Sequence, residues 1–361
     1  MMNNWNEYLA SLSAPAAAPA DDAVGAAHAH FGNVLTAAQL ADGFVAPVGN
    51  LGLIAAQGLD AATFLHGQLT NDVANLPPGE VRLAGYCTPK GRLQATMLMW
   101  RADADAVPTI YLQLPLAVQP GFQKRLSMFV MRAKAKLLDV TGEPRHAVVL
   151  GLGGARAEAA LREQVATLPA TPNTATEGAA GTVLRLADAF NAPRYLWLTS
   201  EATALSALPA LQKTLALGGT DAWELSGIHA GIAQVTGATF EQFVPQMVNL
   251  ELVGGVNFKK GCYPGQEIVA RSQYLGKLKR RTTLATIADP LAAAGAEVFS
   301  LDDPLQPCGM IVNAAPNGAG GVDALVEVKL AALEQEVRLG STTGARVAFL
   351  PMPYVLDALD L

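Results

Sequence analysis

Cys262 stands in the segment Lys259-Lys260-Gly261-Cys262-Tyr263-Pro264-Gly265-Gln266-Glu267, and the residue types around it suit a reactive thiol. Two lysines precede it. Residues 264–275 have the pattern of a helix, with Pro264 near its start and Gly276 placed to end it. Cations and a helix N-terminus both favour thiolate over thiol, the form that acts as nucleophile. Gly261 and Gly265 permit backbone conformations and a close ligand approach that a Cβ would block. Tyr263 is suited to stacking on a planar heterocycle, and Gln266 and Glu267 to hydrogen-bonding its edge. The same residues admit a plain structural reading. A cysteine is commonly a small buried hydrophobe, Tyr263 then only packs, and Glu267 and Arg271 form an ordinary i,i+4 pair.

Charge placement weighs on the side of function. Residues 252–281 hold seven basic side chains (Lys259, Lys260, Arg271, Lys277, Lys279, Arg280, Arg281) and one acid, Glu267. The segment is therefore +6 in a chain of −6, which leaves −12 for the remainder. A basic patch this isolated is expected to receive an anion, either the glutamate tail of a folate or a stretch of RNA, though charge runs also serve as solvated faces.

Other chemistry is poorly supported. Cys87, Cys262 and Cys308 are odd in number and far apart, without a CxxC pair or a histidine at ligand spacing. Neither a disulfide framework nor a metal or iron–sulfur cluster held by this chain alone is expected. His28 and His30 lack a third ligand nearby. Gly151-Leu152-Gly153-Gly154 follows a strand but lacks the full GxGxxG spacing, so a tight turn is favoured over a dinucleotide site.

The chain of 361 residues, 51% of them hydrophobic, is long enough for two or three domains. No Lys or Arg precedes Arg82 and no apolar run is long enough to span a bilayer. The expectation is a cytoplasmic protein with no membrane partner. Residues 1–30, rich in Ala and Pro, are expected to be a flexible tail. Strands are predicted over 51–56, 81–86, 94–101, 109–114 and 136–140, with a hairpin turn at Pro89-Lys90-Gly91, a helix capped by Asp60 and another over 119–129. A second, similar unit at roughly 147–220 has strands at 147–152, 183–186 and 195–199 and helices at 155–166 and 202–217. Five short strands after Thr282 (282–287, 297–301, 309–313, 322–330 and 345–349) fit a small antiparallel barrel. Hairpins covered by helices indicate an α+β class, not a doubly wound sheet.

The segment KKGCYPGQEIVAR, residues 259–271, resembles the signature of the YgfZ-type folate-binding proteins, relatives of the glycine-cleavage aminomethyltransferase. FLHGQLTNDV (64–73), YCTPKGR (86–92), FVPQMVN (243–249) and PMPY (351–354) are similar to further segments of that family, so the resemblance covers nearly the whole chain after the tail. It implies two interwoven α+β domains over 31–281 and a C-terminal antiparallel β-barrel over 282–361, arranged as a ring around a folate-sized channel. It further implies tetrahydrofolate or a derivative as cofactor, with Trp223 against the folate. Leu51 falls where some relatives carry another aromatic, and here it is aliphatic. The implied role is support of the synthesis or repair of iron–sulfur enzymes, including those that modify tRNA. Partners would be those enzymes or their assembly factors, and tRNA through the basic patch 259–281.

Two enzymes are the rivals. The aminomethyltransferase itself resembles its own group in paired aspartates after a Gly-Gly hairpin, whereas here Gly91 is followed by Arg92-Leu93-Gln94-Ala95-Thr96, and Ala95 and Thr96 cannot hold a cationic amine. A folate-dependent RNA methyltransferase would use Cys262 as nucleophile, but no separate general base is evident from sequence. A scaffold that binds folate only for stability is a third class.

Overall fold

The computed structural model describes residues 4–12, 31–102, 107–275 and 278–356. The chain divides into two compact units, one of residues 1–50, 140–230 and 315–319, the other of residues 51–139, 231–314 and 320–361. Each is assembled from separate stretches of chain.

In the first unit, a six-stranded sheet runs in the order Ala216–Leu217, Phe44–Pro47, Val148–Gly153, Ala192–Thr199, Gly181–Ala189, Thr174–Gly178. Its pairs are antiparallel, save the parallel edge that Ala216–Leu217 makes with Phe44–Pro47. That edge corrects the predicted helix over 202–217. The helix is Glu201–Leu211, capped by the Ser200 hydroxyl, and the chain beyond it is drawn out by bonds from Ala216 N–H to Gly43 O and from Gly218 N–H to Val45 O. Trp5–Leu12, inside the expected tail, is a helix. Leu9 joins the apolar core with Leu150, Leu152, Trp197 and Leu208, and Trp5 N–H bonds the Glu201 carboxylate. The Ala- and Pro-rich run from Ala14 to Ala29 suggests a tail throughout, although Trp5, Tyr8, Leu9 and Leu12 have the helical spacing that makes this docking. His28 and His30 lie outside the described residues.

The second unit carries two sheets. One is antiparallel and five-stranded, in the order Val81–Cys87, Leu93–Ala102, Thr109–Pro115, Leu51–Gln57, Lys136–Asp139. The helices Ala61–His66 and Gln119–Ser127 contribute to its core through Leu65, Phe122 and Leu126, with Phe122 set edge-on to Tyr86 at 5.2 Å. Asp60 precedes the first of these helices without capping it by its side chain. Its carboxylate instead accepts from Lys134 N–H at 2.7 Å and ties down a loop distant in sequence. The other sheet has six strands in the order Val337–Leu339, Glu297–Ser300, Asp303–Pro316, Val322–Lys329, Arg280–Ile287, Val347–Leu350. An antiparallel bridge between Arg338 and Arg346 draws its two edges together, which limits exposed strand edge.

Among the described residues no helix is long and apolar enough to cross a membrane, and no group of three or more His, Cys, Asp or Glu is placed to hold a metal ion.

Candidate functional site

The five motifs singled out in the sequence converge in the second unit on the loop that carries Cys262. Thr70 and Asn71 hold its approach. The Thr70 hydroxyl donates to Gly255 O at 2.6 Å while accepting from Gly85 N–H, and Asn71 Nδ2 donates to Gly254 O and Leu83 O, both at 2.7 Å. Asn257 N–H then bonds Thr70 O, and the Asn257 side chain accepts from Lys259 N–H. Lys260 reaches back into the same motif, its ammonium donating to the carbonyls of His66 and Leu69 and lying 4.7 Å from the centre of the Tyr263 ring. Burial is the main cause that lowers this ammonium to about 8, against the pull of Asp72 and Cys262.

Past the thiol, Gly265 takes a left-handed conformation (φ 81°) and starts the helix Gln266–Tyr274. The helix thus begins four residues after Cys262, later than the spacing predicted, because Gly265 breaks the helical run. A Cβ at Gly265 would lie 2.4 Å from Thr88 O. The hairpin turn of the YCTPKGR motif is therefore pressed onto the helix start. Gln246, buried within FVPQMVN, donates to Val269 O at 2.8 Å and anchors the helix from its other side. Left-handed Asn249 donates to Thr282 O and to the Tyr354 hydroxyl, which in turn donates to Gly231 O, so PMPY closes the set.

The three thiols are sorted by this packing. Cys262 is exposed, whereas Cys87 and Cys308 are buried, and burial pushes Cys87 up to about 12 and raises Cys308. Tyr263 is buried with its hydroxyl unpaired among the described residues, so it packs beneath Lys260 and presents no open stacking face. Gln266 is partly covered, while Gly261, Glu267 and Arg271 are exposed; Glu267 and Arg271 do not close the expected ion pair.

The basic patch shrinks on folding. Arg280 makes a two-pronged pair with Glu327 at 2.5 and 2.8 Å, and buried Arg281 pairs with Glu251, so acids outside 252–281 neutralise both. Lys277 lies outside the described residues; Lys259, Arg271 and Lys279 remain exposed.

In the first unit, Trp223 on the helix Thr220–His229 is 5% exposed, with Gly151 against one part of the indole and the Arg194 guanidinium 4.4 Å from the ring centre. A Cβ at Gly151 would fall 2.4 Å from the indole, which explains that glycine better than a dinucleotide turn does. Arg194 Nε donates to Ser226 Oγ at 2.9 Å; burial, with Arg185 near, lowers its guanidinium below the usual value, and Asp188 opposes the shift. Beside Trp223, the Glu224 carboxyl accepts from Asn50 Nδ2 at 2.6 Å and is lifted to about 7 by burial, then by Asp221. Sequence reasoning missed Glu224, Asn50 and Arg194, since neither burial nor partners show in a polar residue's spacing. Leu51, in the second unit, is buried at the start of its strand, paired with Pro115.

No family model matches the chain. Its fold is matched by the crystal structure of the glycine cleavage system aminomethyltransferase T from Bartonella henselae, with a TM-score of 0.70 over 88% of this chain and 87% of that one. At 16% identity the likeness is one of fold. The fold is therefore the α+β fold seen in that aminomethyltransferase. Two curated relatives narrow it: the tRNA-modifying protein YgfZ of Escherichia coli is 33% identical over 242 residues, and its Shigella sonnei counterpart 32%. Those matches span 67% of this chain and 71% of each relative. The chain belongs to the YgfZ family.

Proposed function

We propose that this protein acts in tRNA modification as a folate-binding accessory, and that Cys262 is the thiol through which it works. The observation that carries this reading is the sorting of the thiols: Cys262 is the exposed one, on a loop that several motifs hold in place. A role in tRNA modification is carried over from the printed name of the relatives. On this reading the clients are iron–sulfur enzymes, tRNA-modifying ones among them, and the thiol makes a transient contact with a cluster, a sulfur species or a partner. A cytoplasmic location and the folate-sized channel implied by the resemblance belong to the same proposal.

The first unit fits a folate in one respect and not in another. An edge rich in N–H donors, such as a pterin's, suits the Glu224 carboxylate beside Asn50. The indole of Trp223, covered by Gly151 and Arg194, supports that edge from behind and does not offer an open stacking face. A bound tetrahydrofolate derivative supplies a one-carbon unit; the chain's own part is to hold the heterocycle and to keep Cys262 reachable. In the second unit, the exposed cations Lys259, Arg271 and Lys279 suit an anionic partner such as an RNA backbone.

The aminomethyltransferase reaction is disfavoured by the place where its paired carboxylates would stand. Ala95 is buried and the Thr96 hydroxyl is committed to Val235 N–H at 3.0 Å. A strain lacking the protein, complemented with wild type, Cys262→Ser or Trp223→Ala and assayed for tRNA thiomethylation and iron–sulfur enzyme activity, tests the proposal. Full complementation by Cys262→Ser would sink the thiol role. Calorimetry with tetrahydrofolate tests the cofactor, and absence of heat at millimolar ligand would remove it.

A further inference from the structure

We propose that Phe258 and Tyr274 form a stacking platform for single-stranded RNA on the outer face of the helix that follows Cys262. This rests on the reading of the protein in tRNA modification. Within the helix Gln266–Tyr274, Val269 is the buried residue. Glu267, Arg271, Tyr274 and Leu275 are exposed, and their i, i+4, i+7, i+8 spacing puts them on one face, with Ile268 at its margin. Three of these five are large and apolar or aromatic: Ile268 is 39% exposed, Tyr274 68% and Leu275 83%. A surface helix ordinarily turns such side chains towards the core, so an outer face that gathers them is built for an occupant.

The aromatic pair is measured directly. Phe258, on the loop that leads to Cys262, sets its ring 5.7 Å from that of Tyr274, edge to face at 69°. The contact braces an otherwise exposed tyrosine, so little side-chain freedom is left to lose when a base stacks on it. The helix beneath is firmly seated, because Gln246 Nε2 donates to Val269 O at 2.8 Å and reaches Gln273 Oε1 at 3.5 Å. Lys259 follows Phe258 in the chain, and Arg271 stands one turn before Tyr274 on the same helix face. Cations therefore flank the rings.

Charge and ring chemistry together select the occupant. Lys259, Arg271 and Lys279 are exposed and enter no ion pair among the described residues. Glu267 is the acid on this helix face, so the balance stays positive. A protein partner would have to place an acid opposite each cation and an apolar patch between them. An RNA strand brings a phosphate with every nucleotide and a π-face with every base, and so meets both demands at once. Bases inside a duplex are already stacked on one another, which restricts the platform to unpaired loops and ends.

The test is fluorescence anisotropy of a short fluorescein-labelled oligouridine titrated with the full chain, at salt concentrations from about 50 to 200 mM. Wild type is expected to bind the single strand more tightly than an RNA duplex of the same length. Tyr274→Leu should weaken binding about tenfold, and Tyr274→Phe, which keeps the ring, should restore most of it. Lys259→Gln and Arg271→Gln should each lower the slope of log affinity against log salt by about 0.7. Unfolding midpoints equal to wild type show that the variants fold. Absence of binding by wild type at low salt, a Tyr274→Leu variant that binds as wild type does, or displacement of the RNA by polyglutamate at equal charge would each overturn the platform. The outcome is separable from complementation: if Cys262→Ser complements while the strand binds through Tyr274, the thiol role falls and the platform stands. If no RNA binds while Cys262→Ser fails to complement, the platform falls and the thiol role stands.

Discussion

Gly265 closes on Gly91 so tightly that a Cβ on the former would sit 2.8 Å from the Cα of the latter, with both residues at positive φ, 81° and 71°. Two glycines 174 positions apart thus weld the hairpin after Tyr86 to the first turn of the thiol helix. Gly265→Ala meets backbone atoms, not a flexible side chain, and is expected to cost about 2 kcal/mol or more in denaturant unfolding. Gly121, inside the helix Gln119–Ser127 with nothing within 4 Å of a Cβ, is the control. Gly121→Ala should be neutral or stabilising by up to about 1 kcal/mol.

Glu224 should make stability fall as pH rises. Its carboxyl is lifted to about 7 in the folded chain from the ordinary 4.5, so between those values the folded state keeps a proton that the unfolded chain has released. The cost is absent below the lower value, accumulates through the window and is complete above about 7. Glu224→Gln can still accept from Asn50. It is expected to match wild type near pH 4.5 and to be more stable by on the order of 2 kcal/mol at pH 8, from chemical unfolding at each pH.

The buried pair of Arg281 and Glu251, both side chains 4% exposed, should behave asymmetrically. Arg281 also donates to Gln246 O at 3.0 Å, so it links the Arg280–Ile287 strand to the turn that braces the thiol helix. Glu251→Gln leaves a buried cation facing a neutral amide and is expected to destabilise by about 3 kcal/mol. The double variant Glu251→Leu with Arg281→Met should recover a large part of that loss in the same unfolding assay.

Thiol labelling should separate the cysteines cleanly. One equivalent of iodoacetamide adduct is expected on native protein at pH 7.5, located at Cys262, with Cys87 and Cys308 modified only in denaturant, since both are buried. Adducts on Cys87 at native conditions, seen by peptide mass spectrometry, would contradict the packing of its strand.

Local patterning by itself determined the α+β class, all five strands of the five-stranded sheet and the Pro89-Lys90-Gly91 turn, because alternation and turn residues act over a few neighbours. The motif around Cys262 was equally legible, as was the contrast between Ala95-Thr96 and a carboxylate pair. What only the tertiary structure decided depends on groups far apart in the chain. Asp60 serves Lys134 rather than its own helix, and the stretch after Leu211 becomes a strand because the Phe44–Pro47 edge claims its backbone. A count of charges along the sequence could not know that Glu251 and Glu327 would fold onto Arg281 and Arg280 and neutralise two of the seven cations of the basic patch. Nor could spacing reveal that His66 stands against Gly261, 195 positions away, or that Tyr263 is buried under Lys260. Reactivity is set by which groups share a place, and that is a property of the folded chain.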